Sequence, residues 1–515
     1  MITTPVMPPA LCTITEKLKF QFHGPHKVGR FETFVVDLAD WSLSLTDANP
    51  CIWIQASDLE SLPPPKLADS LGDVVRERGW QNSTVLLFVD GKIGSLRTHL
   101  PSALPTFVII DNKQQARIQK ADSPTGATLD VLVHQMSRSQ LAPYETNKPV
   151  TGSRFFGRSR EIRDVLQRPD VNYLFVGIRR IGKTSLLKEI KRRMDRLDPP
   201  GENQVRRLYV DCTVISSEKE FLRAITVELA HSELKLLMGR AAQAKRYQRL
   251  MFDRFASLHG APITFLIDEL DRLLTRVSDQ GDLFDVLRAA STAGKARFIM
   301  AGFRQAMTAS ANQQSPFFNM VTRVDLRELQ RSDVKRMVVA PMERLRISIQ
   351  NQQGVVNRIY RETAGLPNYV QFYCKTLLEQ LDEEGRDTIT EDDLGAVYED
   401  REFRNFILDT FMSNTEPLEQ AIVYALTAED QSPTRRQSFS QRTMDVLLKK
   451  RKLSLRYERL DRACRNLEVA GIFNGVGKDF EFAAPLLQRM LREARDVDFL
   501  FEKVREEILT ERRLI

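Results

Sequence analysis

The chain has 515 residues, of which 42% are hydrophobic and 28% charged, close to the averages of soluble globular proteins. This composition excludes a wholly disordered chain, a collagen and a disulfide-dense mini-protein. The 75 lysines and arginines exceed the 68 acids by a net charge of +7, which permits an acidic partner without requiring one.

Several sequence features concern the compartment. The five cysteines are scattered and lack the spacing of metal ligands. The first residues show no secretory signal, and the sequence has no run of about 18 apolar residues. We therefore expect a cytoplasmic protein that does not interact with membranes, with about three domains for its length.

Residues 1–120 predict a small α/β domain. Short runs rich in β-branched and aromatic residues, separated by polar stretches, predict strands at Phe34–Leu38, Cys51–Gln55, Thr84–Val89 and Thr106–Ile110. Nearly continuous apolar strands with a helical stretch between them suggest a parallel layer. We expect an effector or sensor module whose activity the sequence does not identify.

Acidic residues follow the last two of these strands. Asp90 ends one strand and Asp111-x-Lys113 ends the next, which is similar to the two acids and lysine of metal-dependent nucleases. Acids at strand ends are also common turn residues, and the sequence favours that second interpretation.

The remaining chain divides into a linker and three further segments. Residues 121–152 hold turn-rich stretches around one short helical segment and predict an interdomain linker. Helices then alternate with strands to residue 330, helical patterns fill 331–414, and three helices precede a Gly-containing hairpin in 415–515. The predicted strands of the middle segment are Tyr173–Val176, Leu208–Asp211, Ile263–Asp268, Arg297–Ala301 and Arg323–Leu326.

The strongest motif is YLFVGIRRIGKTSLLKEI, in which Gly177-x4-Gly182-Lys183-Thr184 fits the P-loop pattern between a strand and a helix. Glycines allow the backbone to wrap phosphates, and the helix N-terminus favours an anion. Lys183 is expected to reach the β- and γ-phosphates, while the Thr184 hydroxyl binds Mg²⁺. Ser185 is placed for the α-phosphate. The intervening Arg179 and Arg180 complete the predicted nucleotide-binding loop.

A second motif, ITFLIDELDRLL, places two acids after a buried strand, at the sheet edge where open α/β sheets bind ligands. Asp268 is expected to hold Mg²⁺ through water. Glu269 is expected to act as the general base that polarises the attacking water. Asp271 is expected to cap the helix that follows.

Two further segments have both a functional and a purely structural interpretation. Arg304 follows the strand in ARFIMAGFR and would emerge near the γ-phosphate if that strand lies between the two phosphate-binding strands; an ordinary surface arginine fits equally well. Pro367 in TAGLPNYVQFYCKTLL opens a helix, where proline is favourable.

Together these motifs resemble the STAND class of P-loop NTPases, within the wider AAA+-like group. FFGRSREI resembles the FxGRxxE box that precedes the P-loop, LIDELD the Walker B segment, GFR the sensor arginine and GLPNYVQ the GxP motif. The resemblance covers about 145–500. It implies an α/β fold: a P-loop NTPase with a parallel five-stranded sheet and helical lid, a C-terminal winged helix and the small N-terminal α/β domain.

The resemblance also implies roles for individual residues. Pro367 would pack on the adenine, and Phe155, Gly157 and Arg158 would line the base side of the nucleotide. Arg304 would sense the γ-phosphate. Arg323, before the fifth strand, stands where AAA+ proteins often place an arginine finger, although a salt-bridging surface arginine is the favoured interpretation.

The implied function is a slow ATPase switch. ADP holds a closed monomer, exchange for ATP opens it and often produces a homo-oligomer, and hydrolysis resets it. Because the γ-phosphate contacts Lys183 and Arg304 whereas Pro367 belongs to the lid, this phosphate can bias the angle between sheet and lid. Such a switch would control the N-terminal module, in signalling or defence.

A basic stretch leaves an alternative open. Residues 431–460 carry nine lysines and arginines, from Arg435 to Arg459, and only two acids. In a winged helix this stretch includes the region that reads DNA, which predicts contacts with phosphates. The other interpretation is a solvated face, or a lid that packs on the ATPase. The alternative function is therefore a DNA-binding ATPase of the origin-recognition or transposition-regulator type. The GLPNY motif favours the switch, and the intact Asp268-Glu269 pair disfavours a scaffold that cannot hydrolyse nucleotide.

Overall fold

A computed structural model describes residues 18, 22–38, 41, 43–45, 48–101, 105–201, 206–229, 245–276, 280–429, 438–494 and 496–513. No helix in these residues is long and apolar enough to cross a bilayer. The four cysteines among them are buried and unpaired, as their scattered spacing predicts.

The N-terminal part of the chain forms one five-stranded sheet in the order β1-β2-β3-β4-β5. The strands are β1 (Phe22–Val28), β2 (Phe31–Val36), β3 (Asn49–Ile54), β4 (Thr84–Val89) and β5 (Thr106–Ile110). The helices around them are α1 (Ala56–Ser61), α2 (Pro64–Glu77), α3 (Leu96–His99) and α4 (Asn112–Lys120).

The expectation of a parallel layer is wrong for the first half of this sheet. Strands β1, β2 and β3 pair antiparallel, and only β3, β4 and β5 run parallel. The strand missed by the sequence, β1, reads FHGPHKV and lacks a continuous apolar run. Its two-residue connection to β2 permits the antiparallel pairing.

The predicted linker contains two helices, α5 (Pro124–Gln135) and α6 (Arg138–Leu141). Both are anchored by polar contacts. The side-chain amide of Gln135 accepts from the backbone N–H of Ile109 at 2.9 Å and donates to the Ile109 carbonyl oxygen at 2.6 Å, on edge strand β5. The Asp382 carboxylate of the lid accepts from the backbone N–H groups of Arg138 and Ser139, at 3.1 and 2.7 Å. The segment therefore joins the N-terminal sheet to the lid.

The middle of the chain forms the predicted parallel five-stranded sheet, in the order β10-β6-β9-β8-β7. The strands are β6 (Tyr173–Val176), β7 (Arg207–Asp211), β8 (Ile263–Asp268), β9 (Ala296–Gly302) and β10 (Thr322–Asp325). The helices are α7 (Ser159–Gln167), α8 (Lys183–Leu197), α9 (Glu218–Leu229), α10 (Lys245–His259), α11 (Leu270–Arg276), α12 (Gln280–Thr292) and α13 (Arg304–Ala311).

This sheet is buried on both faces, which explains why its strands read as apolar runs. Alternate residues of one strand enter different cores: Leu174 packs on one side of the sheet and Phe175 on the other. The prediction of a doubly wound parallel sheet is therefore confirmed.

Helices dominate the rest of the described chain. The predicted lid contains α14 (Arg331–Arg344), α15 (Gln352–Thr363), α16 (Pro367–Glu384), α17 (Asp393–Ala396) and α18 (Arg401–Asn414), with a small parallel pair of strands β11 (Ser348–Ile349) and β12 (Thr388–Ile389). The last segment contains α19 (Pro417–Glu429), β13 (Phe439–Ser440), α20 (Gln441–Lys450), α21 (Tyr457–Val469), β14 (Phe473–Val476), β15 (Asp479–Phe482), α22 (Pro485–Ala494) and α23 (Val497–Arg513).

The predicted hairpin is present in this last segment. Strands β14 and β15 pair antiparallel, with Gly477 at a positive φ of 65° in the turn, and β13 adds a third strand. The element order helix, strand, helix, helix and hairpin is the one expected of a winged helix, which stays an assignment by topology. One apolar core continues from the middle parallel sheet through the lid into this segment, so the C-terminal elements pack against the middle of the chain.

Candidate functional site

The P-loop connects β6 to α8 with Gly182 at a φ of 95°, a conformation that side chains rarely adopt. Lys183 begins α8 and is only 7% exposed. Its ammonium donates to the carbonyl oxygens of Gly177 and Ile178, both at 2.8 Å. Burial lowers the pKa of Lys183, and the carboxylates of Glu269 and Asp268 oppose that shift.

The two acids at the end of β8 are arranged differently. Asp268 is 2% exposed, and its carboxylate accepts from the Tyr209 hydroxyl at 2.8 Å and from the backbone N–H of Glu269 at 2.9 Å. Burial and the nearby Asp268 raise the pKa of Tyr209, so this hydroxyl remains a donor. Glu269 has a positive φ of 52°, an uncommon conformation for its residue type, and it lines the cavity described below.

Strand β9 lies between β6 and β8. This strand order is the one under which the sequence predicted that Arg304 would emerge near the phosphate-binding loop. The turn after β9 is fixed by Asp271, whose carboxylate accepts from the backbone N–H groups of Phe303 and of Gln305, the latter at 2.7 Å. Asp271 therefore caps α13, and the prediction that it caps the helix directly after it in sequence is wrong. The reason is tertiary: α11 and α13 pack side by side.

Arg304 itself pairs with the C-terminal segment. Its guanidinium donates to Glu419 through both terminal nitrogens, one at 2.8 Å, and to the carbonyl oxygen of Asn414 at 2.8 Å. Burial disfavours the charged guanidinium, but the bonds to Glu419 outweigh this and raise the pKa of Arg304. Glu419 is 1% exposed and also accepts from the Asn466 amide at 2.8 Å.

A cavity of about 400 Å³ lies above the P-loop, which is within the usual size of a small-molecule site. The predicted site residues that line it are Phe155, Arg158, Arg179, Arg180, Gly182, Lys183, Thr184, Ser185, Glu269 and Pro367. Gly177 and Asp268 adjoin it through their bonds to Lys183 and Glu269. Arg304 is not among the lining residues.

The segment before α7 forms one wall. Gly157 has a φ of 78°, and a Cβ atom there would lie 2.6 Å from Leu329 Cδ2, so the close packing requires glycine. Arg158 is also left-handed, at φ 57°, and donates to the Arg327 carbonyl oxygen. Burial lowers the pKa of Arg158 despite the neighbouring Glu161. Phe155 contributes an aromatic ring to the cavity wall.

Several cavity residues were missed by the sequence. Val150 lies in the predicted linker and donates its N–H to Ser185 Oγ at 3.1 Å. Pro367 begins α16 as predicted, and Asn368 and Gln371 of the same helix also line the cavity. The Gln371 side chain accepts from the backbone N–H of Glu145 at 2.8 Å. Asn368 and Gln371 fall inside the GLPNYVQ motif, which singled out only Pro367, and no motif marks Val150, because its role depends on how linker and core pack together.

The end of α18 also reaches the P-loop. Asn414 Oδ1 accepts from the backbone N–H of Arg179 at 2.7 Å. The Arg180 guanidinium lies 4.5 Å from the centre of the Phe406 ring, within the range of a cation–π contact. Ser413 lines the cavity. Helix α18 therefore holds two successive residues of the P-loop, Arg179 and Arg180.

The donor set fits a nucleotide with Mg²⁺. The hydroxyl of Thr184 and the carboxylate of Asp268 are hard oxygen ligands of the kind that Mg²⁺ prefers. The cationic Lys183 and the N-terminus of the 15-residue helix α8 favour phosphate. Apolar groups from Phe155, Leu329 and Met337 suit a base at the other side of the cavity.

The remaining candidates have other partners. Arg323 lies on edge strand β10 and pairs with Asp325 at 2.7 Å, as the surface interpretation predicted. Asp111 caps α4 by accepting from the N–H of Gln114 at 2.9 Å, and Asp90 accepts from the Asn112 amide at 3.2 Å. The two acids serve as turn residues, which agrees with the favoured interpretation.

The basic stretch is only partly described, and Arg435 and Arg436 lie outside the described residues. Three of its cations are paired with acids: Lys449 with Asp445, Lys450 with Glu429, and Arg451 with Asp498. Arg442, Lys452, Arg456 and Arg459 are exposed, and no ion pair involves them among the residues that the structure covers.

Comparison with solved structures finds remote likenesses. A Walker-type ATPase of Pyrococcus abyssi is 14% identical, covering 68% of this chain and 99% of that one, with a TM-score of 0.49. The ORC2 protein of Aeropyrum pernix, solved with ADPNP and ADP, is 16% identical over 70% and 97% of the two chains, with a TM-score of 0.48. The ORC1 protein of Aeropyrum pernix in complex with DNA is 13% identical over 74% and 98%, with a TM-score of 0.38.

Sequence comparison gives the family. No curated protein matches the chain. The model of the family described as novel STAND NTPase 1 matches residues 140–399, about half of the 515 residues. The matched region contains the P-loop, both acids after β8, Arg304 and Pro367. The chain therefore belongs to the novel STAND NTPase 1 family of P-loop NTPases.

Proposed function

We propose that this chain is an ATP-binding and ATP-hydrolysing switch, in which the bound nucleotide decides whether the C-terminal segment stays on the NTPase core. The ATP form would open and assemble into a homo-oligomer, and hydrolysis would restore the closed monomer. The observation that carries this proposal is the pair between Arg304 and Glu419, because Arg304 is the residue that the family resemblance assigns to the γ-phosphate.

The pair can act as a charge competition. Glu419 is nearly fully buried, and its two carboxylate oxygens hold the Arg304 guanidinium in a bidentate ion pair. The γ-phosphate is also an anion that a guanidinium binds through two nitrogens. One guanidinium cannot keep both partners in full geometry, so a γ-phosphate that draws Arg304 towards the cavity weakens the hold on Glu419.

The roles of the other site residues follow from their chemistry. Lys183 and the α8 N-terminus would bind the phosphates, and Thr184 and Asp268 would hold Mg²⁺, which neutralises phosphate charge when bound. Glu269 would take the proton of the attacking water. Phe155, Arg158 and Pro367 would hold the base. Tyr209 would orient Asp268 as a positioning residue.

The lid offers a path to the N-terminal module. The Tyr144 hydroxyl donates to the Met337 carbonyl of α14 at 3.1 Å. Further along the same part of the lid, Arg346 pairs with Asp130 of α5 at 2.8 Å. A change in the angle of the lid would therefore move α5, which packs on the N-terminal sheet. This coupling supports control of an effector or sensor module.

The test is Glu419→Gln, which keeps the shape of the side chain and removes its charge. Without the competing charge of Glu419, Arg304 should bind the γ-phosphate more readily. We therefore expect the affinity for a non-hydrolysable ATP analogue, divided by the affinity for ADP, to rise about tenfold, which is within the usual range of coupling between sites. The variant should also open or assemble at lower concentrations of that analogue, measured by size-exclusion chromatography with light scattering. An unchanged ratio and unchanged size would contradict the switch.

Glu362→Gln is the matched control. Glu362 is also buried and also pairs with an arginine, Arg358, at 2.9 Å, but it lies within the lid on α15. Loss of that charge should leave the ratio of ATP-analogue to ADP affinity as in the wild type. A similar rise in both variants would mean that general loosening, and not competition for Arg304, causes the effect.

Binding of DNA through the C-terminal segment is the second candidate, favoured by the exposed Arg442, Lys452 and Arg456. Replacing these three with glutamate should abolish any salt-sensitive shift of duplex DNA by the full chain, because phosphate contacts dominate non-specific affinity. Electrophoretic mobility shifts at low salt would measure this. A wild type that shifts no DNA under those conditions would remove the second candidate.

A further inference from the structure

We propose that Asn368 reads the nucleobase and gives the site its preference for adenine over guanine. This inference rests on the proposed function, because it requires a nucleotide in the cavity above the P-loop. Asn368 follows Pro367 at the start of α16, next to the residue expected to pack on the base.

The side chain of Asn368 lacks a partner where one is expected. The residue is 9% exposed, and its Nδ2 atom is buried without a hydrogen-bond partner among the described residues. Buried amide groups are nearly always paired in folded proteins, since an unpaired donor is destabilising. Because Asn368 also lines the cavity, rotation of its amide group would bring Nδ2 to an acceptor on a ligand there.

The position of Asn368 points to the base and not to the phosphates. The phosphate-binding groups belong to the P-loop and α8, whereas Asn368 follows Pro367 at the start of α16. The backbone N–H of Leu329, another residue that lines the cavity, donates to the carbonyl oxygen of Gly365 at 2.9 Å and so holds the segment before α16 in place. With the phosphates at the P-loop, Pro367 and Asn368 would face the base.

The amide suits adenine. It offers a donor and an acceptor in one plane, and asparagine pairs with adenine through a ring nitrogen and the 6-amino group in nucleic-acid recognition. Here Nδ2 would donate to a ring nitrogen and Oδ1 would accept from the amino group. Guanine has a carbonyl oxygen in place of that amino group. Gln371, one turn later, already accepts from Glu145, so it is less suited to this task.

Calorimetric titration of the full chain tests the inference with non-hydrolysable ATP and GTP analogues and with a purine nucleotide that lacks the 6-amino group. We expect the wild type to prefer the ATP analogue over both others. Asn368→Leu should weaken binding of the ATP analogue about tenfold, as loss of a buried hydrogen bond does, and leave the GTP analogue unchanged. The Tm of the nucleotide-free variant should not fall, because no bond of Nδ2 within the protein is lost.

Thr376→Val is the matched control, since Thr376 lies on the same helix, is 3% exposed and has a buried Oγ1 without a partner, but does not line the cavity. It should keep the preference of the wild type. If Asn368→Leu keeps that preference as well, or weakens both analogues equally with a lowered Tm, the inference is overturned. A wild type that binds none of the nucleotides overturns the proposed function itself, and a wild type that binds ATP and GTP analogues equally overturns only the base-reading role.

Discussion

Alanine in place of Lys183 is expected to lower the affinity for ATP and ADP by at least about a hundredfold, because charge-assisted hydrogen bonds to phosphate are lost in a buried site. The lysine lines the cavity and is 7% exposed, and its ammonium donates to two carbonyl oxygens of the loop. Titration with a fluorescent nucleotide would measure the loss.

The matched control for this change is Lys191→Ala. Lys191 lies on the same helix and pairs with Asp195 at 2.7 Å on its partly exposed side. We expect its nucleotide affinity to equal that of the wild type. If Lys183→Ala also binds ATP normally, the assignment of the P-loop as the phosphate site is wrong.

Glutamine in place of Glu269 is expected to slow hydrolysis by roughly 10²–10⁴-fold, the contribution usual for a general base, while ATP still binds. Glu269 lines the cavity, and an amide in place of its carboxylate can no longer accept the proton of water. Phosphate release under multiple turnover would give the rate, and the nucleotide content of the purified protein would show whether ATP is retained.

Asp211→Asn separates this effect from a general change at the sheet edge. Asp211 ends the neighbouring strand β7, directly opposite Asp268, and accepts from the N–H of Thr213 at 2.9 Å. Asparagine keeps that acceptor, so hydrolysis should be unaffected. A normal turnover rate in Glu269→Gln would remove Glu269 as the base.

The NTPase sheet could be predicted from sequence because its signals are local. Strands buried on both faces read as apolar runs, and β6 and β8 have the predicted bounds. The P-loop places its residues through one glycine-dependent turn, so its geometry also follows from adjacent residues. The N-terminal β1 gave no such signal, since a strand with histidine, glycine and proline resembles a loop.

The partners of the predicted site residues could not be predicted, because they come from distant parts of the chain. Tyr209 reaches Asp268 from the neighbouring strand, and Val150 reaches Ser185 from a segment that looked like a linker. Arg304 was found by its position after β9, but its partner Glu419 lies 115 residues later. Packing of the C-terminal segment on the core brings Arg304 and Glu419 together.

The turn between α18 and α19 has a mechanical consequence. Asn414 contacts the P-loop before this turn, and Glu419 holds Arg304 just after it. Helix α19 has 13 residues and is about 20 Å long, and its first turn is held on the core by the bond between Glu419 and Arg304. A tilt of about 20° at the turn would move the far end of that helix by about 7 Å. Because α19 packs along α23, that displacement would carry α23 with it.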